Sequence, residues 1–130
     1  MAVKVSGTTV VDDNKVFLPT NASSVATTTA ISGGVITLNL NATTVFNISL
    51  NANISTFTIQ NVQSSGRTSS FVIVFTADGT ARTVTWPVSF KWPGGSAPTL
   101  TSTNNKKDVF VFFTTDGGTT WQAFISGQNL

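Results

Sequence analysis

Cysteine, histidine and tyrosine are absent from this chain of 130 residues, and its five carboxylate side chains are all aspartates. Without cysteine there is neither a disulfide framework nor a thiolate metal site. Without histidine the commonest general base and the commonest metal ligand are lost together. The carboxylates that remain are Asp12, Asp13, Asp78, Asp108 and Asp116. Conventional catalysis has little to work with, so the expectation is a protein that is not an enzyme and needs neither cofactor nor metal.

Charge is equally scarce. Charged residues make up 9% of the chain, against roughly 25% in an average globular domain. Polarity comes from threonine, serine and asparagine, which suit exposed strand faces and turns and are poor in helix interiors. So few charges leave little colloidal repulsion, which fits a component of an assembly. The net charge of +2 is small and its lysines and arginines are scattered, so nucleic acid is not expected as a partner. No apolar run approaches the roughly 20 residues needed to cross a membrane. The start of the chain reads without a signal peptide, because it turns polar at Ser6-Gly7-Thr8-Thr9. The Asn-x-Ser/Thr sequons at Asn21, Asn41, Asn47 and Asn53 then read as by-products of Asn/Thr-rich strands.

Residues 1–34 read as an extended N-terminal arm or linker, and residues 35–130 as a β-sandwich domain of about eight strands. Val3-Lys-Val and Thr9-Val-Val are short β-type pieces around Ser6-Gly7, and Val16-Phe17-Leu18 ends at Pro19. The polar run Ser23 to Ala30 has no periodicity. One reading is an edge strand plus a surface loop; the other is an arm lying on a neighbouring subunit.

From Val35 the pattern alternates. Ile36, Leu38 and Leu40 share one face, then Phe46, Ile48 and Leu50, then Phe57 and Ile59, with Asn41-Ala-Thr and Asn51-Ala-Asn between. Such half-buried strands predict an antiparallel meander or Greek-key piece. A solenoid repeat fits less well, because the spacing fails beyond Trp86. Phe71-Val-Ile-Val-Phe and Val109-Phe-Val-Phe-Phe are apolar on both faces, as expected of central strands sandwiched between layers. Asp78-Gly79 predicts a hairpin into Arg82–Trp86, and Asp116-Gly117-Gly118 predicts one into Thr120–Ile125.

Asp12 and Asp13 are adjacent, so on an extended chain their carboxylates point to opposite faces, a poor geometry for acid–base work. Asp78, Asp108 and Asp116 neighbour turns or strand starts and are expected to cap backbone amides. No Asp-x-Asp-x-Asp-Gly spacing suggests calcium. Gly94-Gly95 and Gly117-Gly118 lie between strands, so they read as turn glycines and not as a phosphate loop. Tryptophan offers the real contest between function and framework. Trp86 and Trp121, each following a threonine in a strand, read as core; Trp92, beside Pro93-Gly94-Gly95, is the one expected to be partly exposed.

Arg82-Thr-Val-Thr-Trp-Pro, Lys91-Trp-Pro-Gly-Gly, Ala97-Pro-Thr-Leu-Thr, Lys107-Asp-Val-Phe and Phe113-Thr-Thr-Asp-Gly-Gly-Thr-Thr-Trp occur in this order. Together they resemble a β-rich module of tailed-bacteriophage structural proteins, notably those of cyanobacterial and marine phages. The resemblance spans about Val35 to Leu130 and is strongest after Ala81. It implies a jelly-roll-like antiparallel sandwich assembling as a homotrimer, located in the virion, with no catalytic residues to carry over.

A short chain with a polar arm and no long shaft points, within that group, to a capsid decoration (cement) protein. It would bind the major capsid protein or another virion protein and stabilise the shell. The alternative is a tail fibre or appendage tip that binds a host receptor or surface glycan. The contact residues expected on these readings are Val3, Val5, Val10, Val11, Phe17, Leu18, Arg67 and Trp92.

Overall fold

The computed structural model describes residues 26–130, together with the backbone pairing of β1 (Val3–Val5) and β2 (Thr8–Val11). β1 and β2 pair antiparallel. The further strands are β3 (Thr27–Thr28), β4 (Val35–Asn39), β5 (Val45–Leu50), β6 (Thr56–Gln60), β7 (Ser69–Ala77), β8 (Phe90–Lys91), β9 (Lys107–Thr114) and β10 (Trp121–Gly127). No α-helix occurs among the described residues, and the fold is all-β.

A mixed six-stranded sheet, ordered β3-β5-β7-β9-β10-β8, forms one layer. β4 and β6 pair in parallel as a second, smaller sheet. Its Ile36, Leu38, Phe57 and Ile59 belong to the same core as Phe46, Ile48, Phe71, Ile73, Phe75, Phe110 and Phe112 from the large sheet. The alternation foreseen from Val35 onward therefore does divide buried from exposed positions.

The connections differ from a meander. β4, β5 and β6 do not pair with their chain neighbours: β4 pairs with β6 and β5 with β7, both in parallel, as the chain passes back and forth between the layers. β3 also joins β5 in parallel, and Ile54 makes a parallel bridge to Val84. This stretch is wound like a short coil, nearer to the solenoid pattern than to the antiparallel sheet expected. Backbone conformation supplies the reason. A tight hairpin needs residues in the left-handed region, and no residue from Val35 to Gln60 has a positive φ. Asn39 and Thr43 turn the corner instead. The Asn39 side-chain oxygen accepts from the Asn41 amide at 3.0 Å and from Asn61 Nδ2 at 2.6 Å, and the Val45 amide donates to Thr43 Oγ1 at 3.1 Å.

The hairpin expected after Asp78-Gly79 does not form either. Gly79 turns the chain with φ +88°, but the partner of β7 is β9, antiparallel over eight residue pairs. Residues 80–100, which include β8, pack Trp86, Phe90 and Trp92 against the inner-face rings of β7 and β9 and are anchored where the Thr85 amide donates to the Ile54 carbonyl at 2.8 Å. Pro87 and Pro93 cannot donate to a ladder, which suits this segment to a crossing better than to a strand. The β9–β10 hairpin does form, with Gly117 and Gly118 at φ +73° and +86° in its turn.

Candidate interaction surface

All three tryptophans lie in or against the core, and none is exposed. Their order of burial reverses the expectation for two of them. Trp92 is 9% exposed and Trp121 only 2%, while Trp86 is half-buried. Trp92 meets Trp86, Phe110 and Phe112 at centroid distances of 4.9, 5.6 and 5.7 Å, all with near-perpendicular rings. Its Nε1 is buried without a hydrogen-bond partner among the described residues. Perpendicular rings are the arrangement in which a π face can take the place of a polar acceptor. Trp86 in turn stacks on Phe57 at 5.3 Å. Pro93 and the paired glycines make a tight 3₁₀ turn, and the chain bends so that the indole folds inward instead of projecting from the loop.

A hollow of ≈ 460 Å³ opens beside this cluster, lined by Trp86, Pro87, Val88, Phe90, Lys91, Trp92, Gly95 and Ala97. Its rim carries Val88, which is 91% exposed. Lys91 Nζ donates to the Val88 carbonyl at 3.0 Å, holding the rim loop closed on itself.

The three described aspartates all accept from backbone amides, Asp78 and Asp116 within their own turns as expected and Asp108 from segments distant in the sequence. Asp78 accepts from the Thr80 amide at 3.0 Å and pairs with Arg82, whose guanidinium holds its pKa down. Asp116 accepts from the Thr120 amide at 2.9 Å and from Thr114 Oγ1 at 2.8 Å, and these bonds lower its pKa. Asp108 is buried, which pushes its pKa up. Bonds from Thr101, Asn129 and Gln128 outweigh that burial and hold it below the ordinary value. Through them the carboxylate ties the 101 loop, β9 and the C-terminal residues together. Among the described residues no group of three or more histidine, cysteine, aspartate or glutamate side chains could hold a metal. No helix among them is long and apolar enough to cross a membrane.

The feature that the sequence signalled only indirectly is the outer face of the large sheet. Inner positions of β7 and β9 are buried, while Val72, Val74, Val109, Val111 and Phe113 on the other face are only partly so. The pairing sets Val45, Val72, Val111 and Phe124 in one transverse row across four adjacent strands. Phe124, 46% exposed, ends the row, and its ring stacks on Phe113 at 5.9 Å with 9° between the planes.

Of the expected contact residues, Arg67 lies exposed in the loop before β7, and Trp92 is in the core. Val3 and Val5 fall in β1, and Val10 and Val11 in β2, with side chains outside the described residues; Phe17 and Leu18 lie outside them altogether. No family model, curated protein or solved structure matches this chain.

Proposed function

We propose that this chain is a phage virion structural protein, a capsid decoration (cement) protein that binds the shell and stabilises it without chemistry. The observation that carries the reading is the character of its surface. The described aspartates are engaged in capping, and among the described residues the large apolar side chains left exposed are Val88 at 91%, Leu130 at 62%, Phe124 at 46% and Ile125 at 44%. Exposed apolar surface on a weakly charged protein suits stable protein contact better than solution chemistry. The motifs behind the phage resemblance fit a framework role, since they contribute Trp86, Trp92, Phe110 and Trp121 to the aromatic core and Gly117-Gly118 to the β9–β10 turn.

On this reading the jelly-roll-like module assembles as a trimer on the shell. Residues 1–34 serve as the arm that reaches a neighbouring subunit, with the major capsid protein as partner. Deleting residues 2–20 should abolish occupancy on expanded capsids, measured by co-sedimentation; unchanged occupancy removes the arm from the proposal. The alternative is a fibre tip that binds a host receptor or surface carbohydrate, and in its carbohydrate form it uses Trp92 as a platform for a sugar ring. The burial of Trp92 counts against that platform, while Trp86 is half-buried at the hollow with Phe57 stacked on it.

A further inference from the structure

We infer that the open edge of β4 is closed by residues 15–18 of the same chain, added as a further parallel strand with Val16 and Leu18 turned toward the core. These residues lie outside the described ones, and the inference stands on the edge they meet. It is independent of the decoration reading and bears on it only by limiting the free part of the arm to residues 1–14.

The coil is the starting point. β3, β5 and β7 lie in the large sheet and β4 and β6 in the small one, so the chain changes layer at every strand from Thr27 to Ala77. Each rung stacks in parallel on the next: Thr27 meets Phe46 and Val35 meets Thr56, steps of 19 and 21 residues. In the small sheet β4 has β6 on one side and no described strand on the other. An uncovered end of such a stack leaves ladder groups and apolar side chains without a neighbour.

Hydrogen bonds identify what that edge leaves open. The Thr56 amide donates to the Gly34 carbonyl at 3.2 Å and the Leu40 amide to the Gln60 carbonyl at 3.1 Å, so the even-numbered positions of β4 face β6. The odd-numbered positions face away. Val35 is closed there by reciprocal bonds with Ser32, both 3.0 Å, and the Asn39 carbonyl accepts from the Ala42 amide at 3.0 Å. The N–H and C=O of Thr37 and the N–H of Asn39 point to the open side.

The sequence one rung upstream fits them. A step of 20 residues, midway between the observed 19 and 21, leads back from Ile36, Thr37 and Leu38 to Val16, Phe17 and Leu18. Paired positions of a parallel ladder share a face. Val16 therefore extends the column of Ile36 and Phe57, Leu18 extends that of Leu38 and Ile59, and Phe17 stands outward beside the exposed Thr37. The Thr37 amide then donates to the Val16 carbonyl, the Leu18 amide to the Thr37 carbonyl and the Asn39 amide to the Leu18 carbonyl. Pro19 falls where its missing N–H faces outward, a position that an edge strand tolerates. A step of 21 instead turns Lys15 inward against Ile36, which the cost of burying an ammonium disfavours.

Tethering favours the same chain over a second copy. Eight residues, 19–26, lead from this strand to β3, the length of the 61–68 connection between β6 and β7. So short a link holds the strand at an effective concentration in about the millimolar range.

The chain has no cysteine, so an introduced pair reports proximity without interference. In the full-length protein at low micromolar concentration, Phe17→Cys/Thr37→Cys should close an intramolecular disulfide on mild oxidation, because neighbouring strands lie about 4.8 Å apart. Phe17→Cys/Thr58→Cys, one strand further at about 9.6 Å, should not. Non-reducing gels and intact mass read the outcome. A disulfide-linked dimer assigns the edge to a second copy and overturns the inference; so does no disulfide, or equal closure of both pairs. Amide hydrogen exchange gives a second reading on the unaltered protein. Thr37 and Leu18 should exchange at least about 100-fold slower than free-peptide rates, and Val16→Asp/Leu18→Asp should return Thr37 to within about tenfold of them. An unprotected Thr37 in the wild type, or protection unchanged in that variant, also overturns it. Capsid occupancy is measured separately: its absence with Thr37 still protected counts against the decoration reading alone.

Discussion

Val72 and Val111 stand directly opposite each other on β7 and β9, on the face of the large sheet away from the core. Their chain neighbours Phe71 and Phe112 are likewise opposite, on the inner face, with rings stacked at 4.8 Å. One strand pair thus builds both the aromatic core and the apolar outer surface. The two faces should respond very differently to substitution.

Phe71→Ala and Phe112→Ala remove rings that are 1% and 0% exposed. Each should cost about 3–5 kcal/mol, the range for truncating a fully buried phenylalanine. Urea denaturation followed by tryptophan fluorescence checks this. A loss below about 1 kcal/mol would mean that the aromatic cluster is not what holds the layers together.

Trp92→Ala should act on stability and not on ligand binding. The indole packs against three rings inside the protomer, so its removal should cost about 3–5 kcal/mol. Trp92→Phe should cost much less, because Nε1 has no hydrogen-bond partner to lose. A folded, stable Trp92→Ala protein that had lost glycan binding would revive the fibre-tip reading.

Gly34 has φ +78°, and a Cβ there would stand 2.8 Å from Ser55 Oγ. Gly34→Ala therefore combines a left-handed backbone with a steric clash and should lose about 1–2 kcal/mol or more. Neighbouring Gly33 has φ +57° with open space around it, so Gly33→Asn should be nearly neutral. Thermal melting of the two variants side by side tests the contrast.

The pKa values of Asp78, Asp108 and Asp116 are all lowered in the folded chain. Carboxylates with a depressed folded pKa contribute stability that is fully present above the unfolded value and is lost as pH falls through the folded one. The ordinary value is 3.8, so unfolding free energy should be flat near neutrality and fall below about pH 4. Asp108→Asn should lower stability at neutral pH, since Thr101 and Asn129 lose a charged acceptor, and should flatten the acid limb. An acid limb unaltered in that variant would assign the effect to the other two aspartates.

The strands were legible in the sequence because their side chains repeat every two residues, which separates Ile36 and Leu38 from Thr37 whatever they pair with. Pairing was not legible, since alternation is the same in a parallel coil and an antiparallel meander. The available clue was the absence of glycine between Val35 and Gln60, where the chain must turn corners without left-handed residues. Trp92 misled for a similar reason. Pro93 and the paired glycines mark a turn, but which way its first residue points depends on Phe110 and Phe112, distant in the sequence. The caps at Asp78 and Asp116 were readable because they bond the amides of Thr80 and Thr120 within their own turns, whereas Asp108 caps Thr101 and Asn129, which only the tertiary fold brings to it. The outer apolar face was half readable: the two-faced strands announced two coverings, and within the described residues the chain supplies one.

The place proposed for this protein is the virion shell. Its most direct measurement is cryo-electron microscopy of purified particles, with this chain labelled by a bound antibody fragment. Label is expected on the capsid exterior at regular sites between capsomers. Particles carrying no label on the shell, with the chain found only in the soluble fraction or at the tail tip, would contradict it.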